Sequence, residues 1–148
     1  FEPKIVTAFP VSQGNTFQGL YSRDSKIVFY GSEVLAGADS ETFRISDNVS
    51  ITSDKNYVYL WNKIIPGADP ATYTVVRDYS AAGRGTVYGK DKNNVFVDYC
   101  LLKGVDAASF SITWNHLRKD EFVDKSGIFR IELKENKTGE VDLCDVIR

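Results

Sequence analysis

Short apolar clusters punctuated by polar and turn-forming residues recur along the chain. Ile27-Val28-Phe29-Tyr30, Tyr57-Val58-Tyr59-Leu60-Trp61 and Val95-Phe96-Val97 are rich in β-branched and aromatic residues. They are too short for helices, so they predict strands over 27–30, 57–61 and 94–99. Gly31-Ser32, Trp61-Asn62-Lys63 and Asp98-Tyr99 read as hairpin turns. Each leads into a second short strand at Val34-Leu35, Ile64-Ile65 or Leu101-Leu102. A Gly-Ala/Val-Asp-x-x-Thr/Ser-aromatic stretch follows. Its Asp is a strong cap, because the carboxylate accepts backbone N–H groups that lack partners in a first helical turn. Pro70, directly after Asp69, fits the position where no N–H is needed. Single helical turns are therefore expected over 39–43, 69–73 and 106–110, each with an aromatic that plugs the core. A further strand is expected at 43–45, 73–76 and 109–113, and one more before each opening Asp, as at 86–89.

These segments are copies of one unit. With Asp24, Asp54 and Asp91 at offset zero, Val28, Val58 and Val95 coincide, then Phe29, Tyr59 and Phe96. Leu35, Ile65 and Leu102 share an offset, as do Gly37, Gly67 and Gly104, then Asp39, Asp69 and Asp106, and then Phe43, Tyr73 and Phe110. Asp124 opens a fourth copy, with Ile128 and Phe129 at the Val and aromatic positions, whose second half has degenerated. The openings lie 30, 37 and 33 residues apart. The expected fold is all-β: about 3.5 repeats of short antiparallel strands in a single domain over 1–148. The units lie near 20–48, 50–78 and 87–115, with a partial one at 120–135. A meander, a small propeller-like closed array and a sandwich all fit this pattern. Pairing of 17–21 with 129–133 would close the array and remove exposed edges.

Asp54-Lys55-Asn56-Tyr57-Val58-Tyr59 and Asp91-Lys92-Asn93-Asn94-Val95-Phe96, each with its downstream Gly-Ala/Val-Asp, resemble the DKNYY family of bacterial repeat proteins. The resemblance covers roughly residues 20–130. The first copy departs from it with Asp24-Ser25-Lys26-Ile27, and the fourth lacks the second half. It implies a bacterial source and often an exported protein, and it supplies no activity or catalytic residue. By analogy, some bacterial envelope domains of this size are immunity proteins against rival toxins.

Composition narrows the classes of function. The chain has 148 residues, 43% hydrophobic and 26% charged, as expected of a globular chain. Its 18 basic and 20 acidic residues leave a net charge of −2, without the cationic surplus that nucleic-acid binding needs. No apolar run approaches the roughly 20 residues of a membrane-spanning helix. Cys100 and Cys144 match no CxxC spacing. They are either two buried thiols or a disulfide closing a loop of about 45 residues, worth about 4 kcal/mol in the chain-entropy model. The absence of Met and the start at Phe1-Glu2-Pro3 suggest a processed product or a trimmed chain. Together with the cysteines, this leads to an expected periplasmic or otherwise exported location. Asn48-Val49-Ser50 and Asn136-Lys137-Thr138 are sequons of weak specificity.

Catalytic patterns are sparse. His116 is the sole histidine, and no GxSxG elbow accompanies it. Zinc would need more Cys or His, and no DxDxDG loop offers calcium a site. The run from Gly83 to Lys90 does not have phosphate-loop spacing, because Asp91 follows Lys90 where Ser or Thr would stand. No catalytic residue, metal or cofactor is therefore expected. The positions that break the repeat are more informative. Tyr57, Tyr59 and Trp61 at i, i+2 and i+4 would share one strand face. Tyr59 matches a scaffold aromatic, whereas Tyr57 and Trp61 do not. Partner contact and packing beneath the 77–90 loop both remain open for them. Expected partner-binding residues are Tyr57, Trp61, Arg84, Trp114, Glu140 and Asp142, with the 77–90 loop as a secondary contact. Glu140 and Asp142, together with the region from Lys119-Asp120-Glu121 to Asp124, offer acidic groups for a basic partner. The expected function is a non-enzymatic, protein-binding domain of the bacterial envelope. Its sharpest form is an immunity protein that occludes a toxin or secreted effector. The alternatives are a glycan- or peptidoglycan-binding module using Tyr57, Trp61 and Trp114, and, more weakly, a hydrolase.

Overall fold

The structure, a computed structural model, describes residues 7–8, 21–46, 50–80, 85–114, 117, 119–135, 137 and 141–148. It is all-β, and no α-helix occurs among the described residues. Sixteen strands form four antiparallel four-stranded meanders. The first sheet holds β1 (Thr7–Ala8), β2 (Tyr21–Arg23), β3 (Val28–Tyr30) and β4 (Glu33–Val34). The second holds β5 (Arg44–Ile45), β6 (Ile51–Ser53), β7 (Val58–Leu60) and β8 (Lys63–Ile64). The third holds β9 (Thr74–Asp78), β10 (Val87–Lys90), β11 (Val95–Val97) and β12 (Cys100–Leu102). The fourth holds β13 (Ser111–Trp114), β14 (Asp120–Asp124), β15 (Gly127–Glu135) and β16 (Val141–Ile147). The chain divides into two compact units, Phe1–Ile64 with the first two sheets and Ile65–Arg148 with the last two.

Sequence repeat and sheet are out of phase. A repeat counted from its opening Asp supplies the last two strands of one sheet and, after its turn, the first two strands of the next. Register is kept across all four copies. The offset-five aromatics pair across the sheet as Ser22 with Phe29, Thr52 with Tyr59, Gly89 with Phe96 and Phe122 with Phe129. The two internal strands β7 and β11 are buried on both faces, which explains their continuous apolar runs.

The second half of each repeat and the opening of the next are hydrogen-bonding partners. The first oxygen of each opening Asp folds its own hairpin loop. In Asp54 it accepts the amides of Asn56 and Tyr57 at 2.7 and 2.8 Å, and in Asp91 those of Asn93 and Asn94 at 2.8 and 2.7 Å. The second oxygen accepts the amide of the second Asp in the preceding turn. These bonds are Asp39 to Asp54 at 2.7 Å, Asp69 to Asp91 at 3.0 Å and Asp106 to Asp124 at 3.1 Å. The following lysine completes the clip. Lys55, Lys92 and Lys125 pair with Asp39, Asp69 and Asp106 at 2.7, 3.2 and 2.9 Å. Their backbone amides donate to the hydroxyls of Thr42, Thr72 and Ser109.

The expected helical turns are single hydrogen-bonded turns rather than helices. The amide of Phe43 donates to the Asp39 carbonyl and that of Tyr73 to the Asp69 carbonyl, each at 2.9 Å, and the chain then passes directly into a strand. The capping role expected of these Asp residues is what the geometry shows. Asp39 accepts the Thr42 amide and hydroxyl, and Asp106 accepts those of Ser109. Gly37, Gly67 and Gly104 precede the turns with φ of +79°, +79° and +77°, a region that a Cβ disfavours.

In the first unit, the core gathers Tyr21, Val28, Leu35, Phe43 and Tyr59. The Phe43 ring sits 5.7 Å from that of Tyr21 and 5.8 Å from that of Tyr59. In the second unit, Val95, Leu102, Val105, Ala107, Phe110 and Phe129 cluster, with Phe110 and Phe129 6.2 Å apart. Phe43 and Phe110 are buried as expected, whereas Tyr73 is only partly so.

The fourth copy departs from the other three. Ile128 aligns with buried Val28, Val58 and Val95 and keeps their register, yet it is 64% exposed. Val95 is covered by Leu102, Val105, Ala107 and Phe110 from the second half of its own repeat. The fourth copy has no such half, so nothing equivalent covers Ile128. The fourth sheet is completed by the C-terminal strand, because β15 pairs with β14 through residues 127–129 and with β16 through residues 130–135. The expected closing segment at 17–20 lies outside the described residues. Cys100 on β12 and Cys144 on β16 form a disulfide. Arg148, just beyond β16, grips the buried Asp124 through both guanidinium nitrogens at 3.0 and 2.6 Å.

Candidate functional site

The residues that break the repeat form a group in each unit. In the first unit, Leu60 pairs with Lys63, so Trp61-Asn62 is a two-residue hairpin loop. Trp61 therefore sits at the tip and does not share a strand face with Tyr57 and Tyr59, as alternation along an uninterrupted strand would have it. It occupies the place of Gly31 in the first copy and Asp98 in the third, and all three have left-handed φ: 60°, 54° and 50° for Gly31, Trp61 and Asp98. Glycine takes this conformation freely and Asp tolerates it, whereas a bulky side chain is strained there. The surrounding backbone fixes the conformation. The Trp61 amide donates to the Ser50 carbonyl at 3.1 Å, and its carbonyl accepts the Tyr21 hydroxyl at 2.8 Å. The Trp61 ring is partly buried, and Tyr57 is 41% exposed, with its ring edge-on to Tyr59 at 6.3 Å.

In the second unit, Arg77 lies near the end of β9 and Tyr79 just beyond it. Trp114 ends β13 and is 62% exposed. The Arg77 guanidinium lies 5.5 Å from the centre of the Trp114 ring and 5.9 Å from that of Tyr79. The Tyr79 hydroxyl donates to Asp120 at 2.6 Å, and the Tyr79 ring meets Tyr88 edge-on at 6.3 Å. Burial, with help from the Asp120 charge, holds the Tyr79 phenol above its usual pKa. Burial pushes that of Tyr88 to about 12, so both stay protonated donors at neutral pH. Leu117, 64% exposed, adds apolar surface to this unit. Asp98, mostly desolvated and close to Asp78, is raised above the usual carboxylate range, while its oxygen accepts the Val87 amide at 2.8 Å.

Of the residues expected from sequence, Trp114 belongs to the second group, and Tyr57 and Trp61 to the first. Arg84, Glu140 and His116 lie outside the described residues. Asp142 lies on β16, and its side chain is also outside them. Sequence reasoning reached Arg77 and Tyr79 only as part of the 77–90 loop, and Asp120 only as one of the acidic groups at 119–124, and did not bring the three together. A signal for the first was present: Arg77 and Trp114 both stand 23 residues after their opening Asp, Asp54 and Asp91. They are the same position in successive copies, and each copy places a different large side chain there. Among the described residues, no group of three or more His, Cys, Asp or Glu side chains converges to hold a metal. No described helix is long and apolar enough to cross a membrane.

Antiparallel meanders built from one recurring unit, with the same Asp–Lys clip at three places, define an all-β repeat protein. The chain belongs to the DKNYY family, whose profile matches residues 8–63 and again residues 56–133. Neither a curated protein nor a solved structure matches it.

Proposed function

We propose that the chain is a non-enzymatic protein-binding domain of the bacterial envelope and that Trp114 is the centre of its contact surface. One observation carries this reading: a tryptophan 62% exposed, standing on a regular strand and backed by Arg77 and Tyr79. Protein interfaces concentrate their energy in Trp, Tyr and Arg anchors set on rigid elements. The Cys100–Cys144 disulfide supports an oxidising, exported location, since such bonds persist outside the reducing cytosol. In its sharpest form, the domain is an immunity protein that occludes a toxin or secreted effector; the product of a neighbouring toxin gene is then the first partner to try.

The test is capture of that partner, or of proteins from source extract, by the immobilised chain and by its Trp114→Ala variant. Loss of the captured protein with the variant supports the reading. Capture unaffected by Trp114→Ala, or retention of both forms on isolated cell-wall sacculi, overturns it, and the second outcome would favour glycan binding.

A further inference from the structure

The environment of Arg77 specifies what a partner would present. Its guanidinium lies over two aromatic rings, at 5.5 Å from Trp114 and 5.9 Å from Tyr79. A cation attracted by ring faces in this way spends none of its conventional hydrogen bonds, so the edge of the guanidinium, which carries all five N–H donors, remains for other groups. Among the described residues, no carboxylate or carbonyl accepts from that edge. Asp120, the acid that also meets Tyr79, already accepts the Tyr79 hydroxyl at 2.6 Å. Asp78 is the next residue along β9, so its side chain projects from the opposite face. Attraction to the two rings restricts the guanidinium before binding, which lowers the entropy lost when its bonds form.

We propose that Arg77, held against Trp114 and Tyr79, receives a carboxylate side chain of the partner protein through its paired N–H donors. A planar fork matches a carboxylate bidentately, and exposed Trp114 supplies apolar surface beside it. This rests on the reading of Trp114 as a protein contact. It also gives this surface the reverse polarity of one selected by acidic groups.

The test is a titration of the isotope-labelled full chain, followed by NMR at the Arg77 Nε–H and Trp114 indole N–H signals. The probes are acetyl-Leu-Glu-Leu-amide, acetyl-Leu-Gln-Leu-amide and sodium acetate. The Glu peptide should shift both signals saturably and bind about tenfold more tightly than the Gln peptide, as expected when a charge-assisted pair is replaced by a neutral one. Arg77→Met, which keeps the apolar stem, should abolish that preference, and Arg77→Lys should retain only part of it, because an ammonium has no fork. Arg77→Gln serves as the second neutral variant should Met perturb the sheet. Equal binding of the two peptides, a preference that survives in Arg77→Met, or acetate binding as tightly as the Glu peptide would overturn the proposal. Equal binding that still moves the Trp114 signal overturns the carboxylate receptor alone, whereas partner capture indifferent to Trp114→Ala overturns the protein-contact reading beneath it.

Discussion

The Asp–Lys clip and the offset-23 position treat repetition in opposite ways. At the clip, three junctions place the same atoms together: an Asp carboxylate on the amide of the preceding turn, a Lys on that turn's Asp, and an amide on its hydroxyl. At offset 23, Arg77 and Trp114 differ in chemistry yet meet, the guanidinium 5.5 Å from the ring centre. A clip residue answers to partners in two successive copies, so a change costs bonds at a junction. An offset-23 residue ends in solvent and is free to vary. Recurrence therefore marks the scaffold, and divergence on a regular strand marks surface available for a partner.

The largest effect should come from the scaffold core. Phe96 is fully buried between the faces of the third sheet, so Phe96→Ala should cost about 3–5 kcal/mol in chemical denaturation. A loss below about 1 kcal/mol would mean that the offset-five aromatic of this copy is not a core element. The clip should come next. Asp54 is 1% exposed and accepts two loop amides, the Asp39 amide and the Tyr59 hydroxyl. Asp54→Ala strands these donors and should cost about 2–3 kcal/mol, with Asn recovering part of the loss.

Acid should loosen the clips selectively. Lys55 and Thr42 hold Asp39 down to about 2, and Asp69, Asp106 and Asp124 are lowered by Thr72, Ser109 and Arg148 respectively. A carboxylate whose folded pKa is depressed contributes stability that is complete above its unfolded value, here 3.8, and is lost as pH falls through the folded one. Stability should therefore fall between about pH 4 and pH 2. Asp98, raised by burial, has the opposite sign and becomes less unfavourable as it protonates. An Asp39→Asn variant should lose part of the acid sensitivity, and an unchanged acid profile would show that the clip carries no linked protons.

Much of the scaffold was legible because it repeats. Val58 and Tyr59 announced a strand, and Asp39, Asp69 and Asp106 announced capped turns, since the chemistry of each is local. What escaped depends on neighbours far along the chain. Ile128 reads like Val95, and only the missing second half of its repeat leaves it uncovered. Trp61 extends the apolar run of β7, but the pairing of Leu60 with Lys63 turns it out of the strand. Arg77 and Trp114 share an offset, but their contact becomes visible only when β9 and β13 are in place.

The hairpin tip offers a smaller test. At φ 54°, Trp61 carries strain that its equivalent Gly31 does not. Trp61→Gly should stabilise the fold by about 1 kcal/mol or leave it unchanged, the relief of strain offsetting lost packing. A loss above about 2 kcal/mol would show that the ring is a core element.

The central claim, that divergent positions serve contact while recurring ones serve the fold, is tested most directly by measuring unfolding free energy and partner affinity together for Trp114→Ala. The account predicts a stability change within about 0.5 kcal/mol, as for an exposed residue. It also predicts binding weaker by about 2 kcal/mol or more, roughly thirtyfold. A stability loss as large as the binding loss, or unchanged affinity, would contradict it.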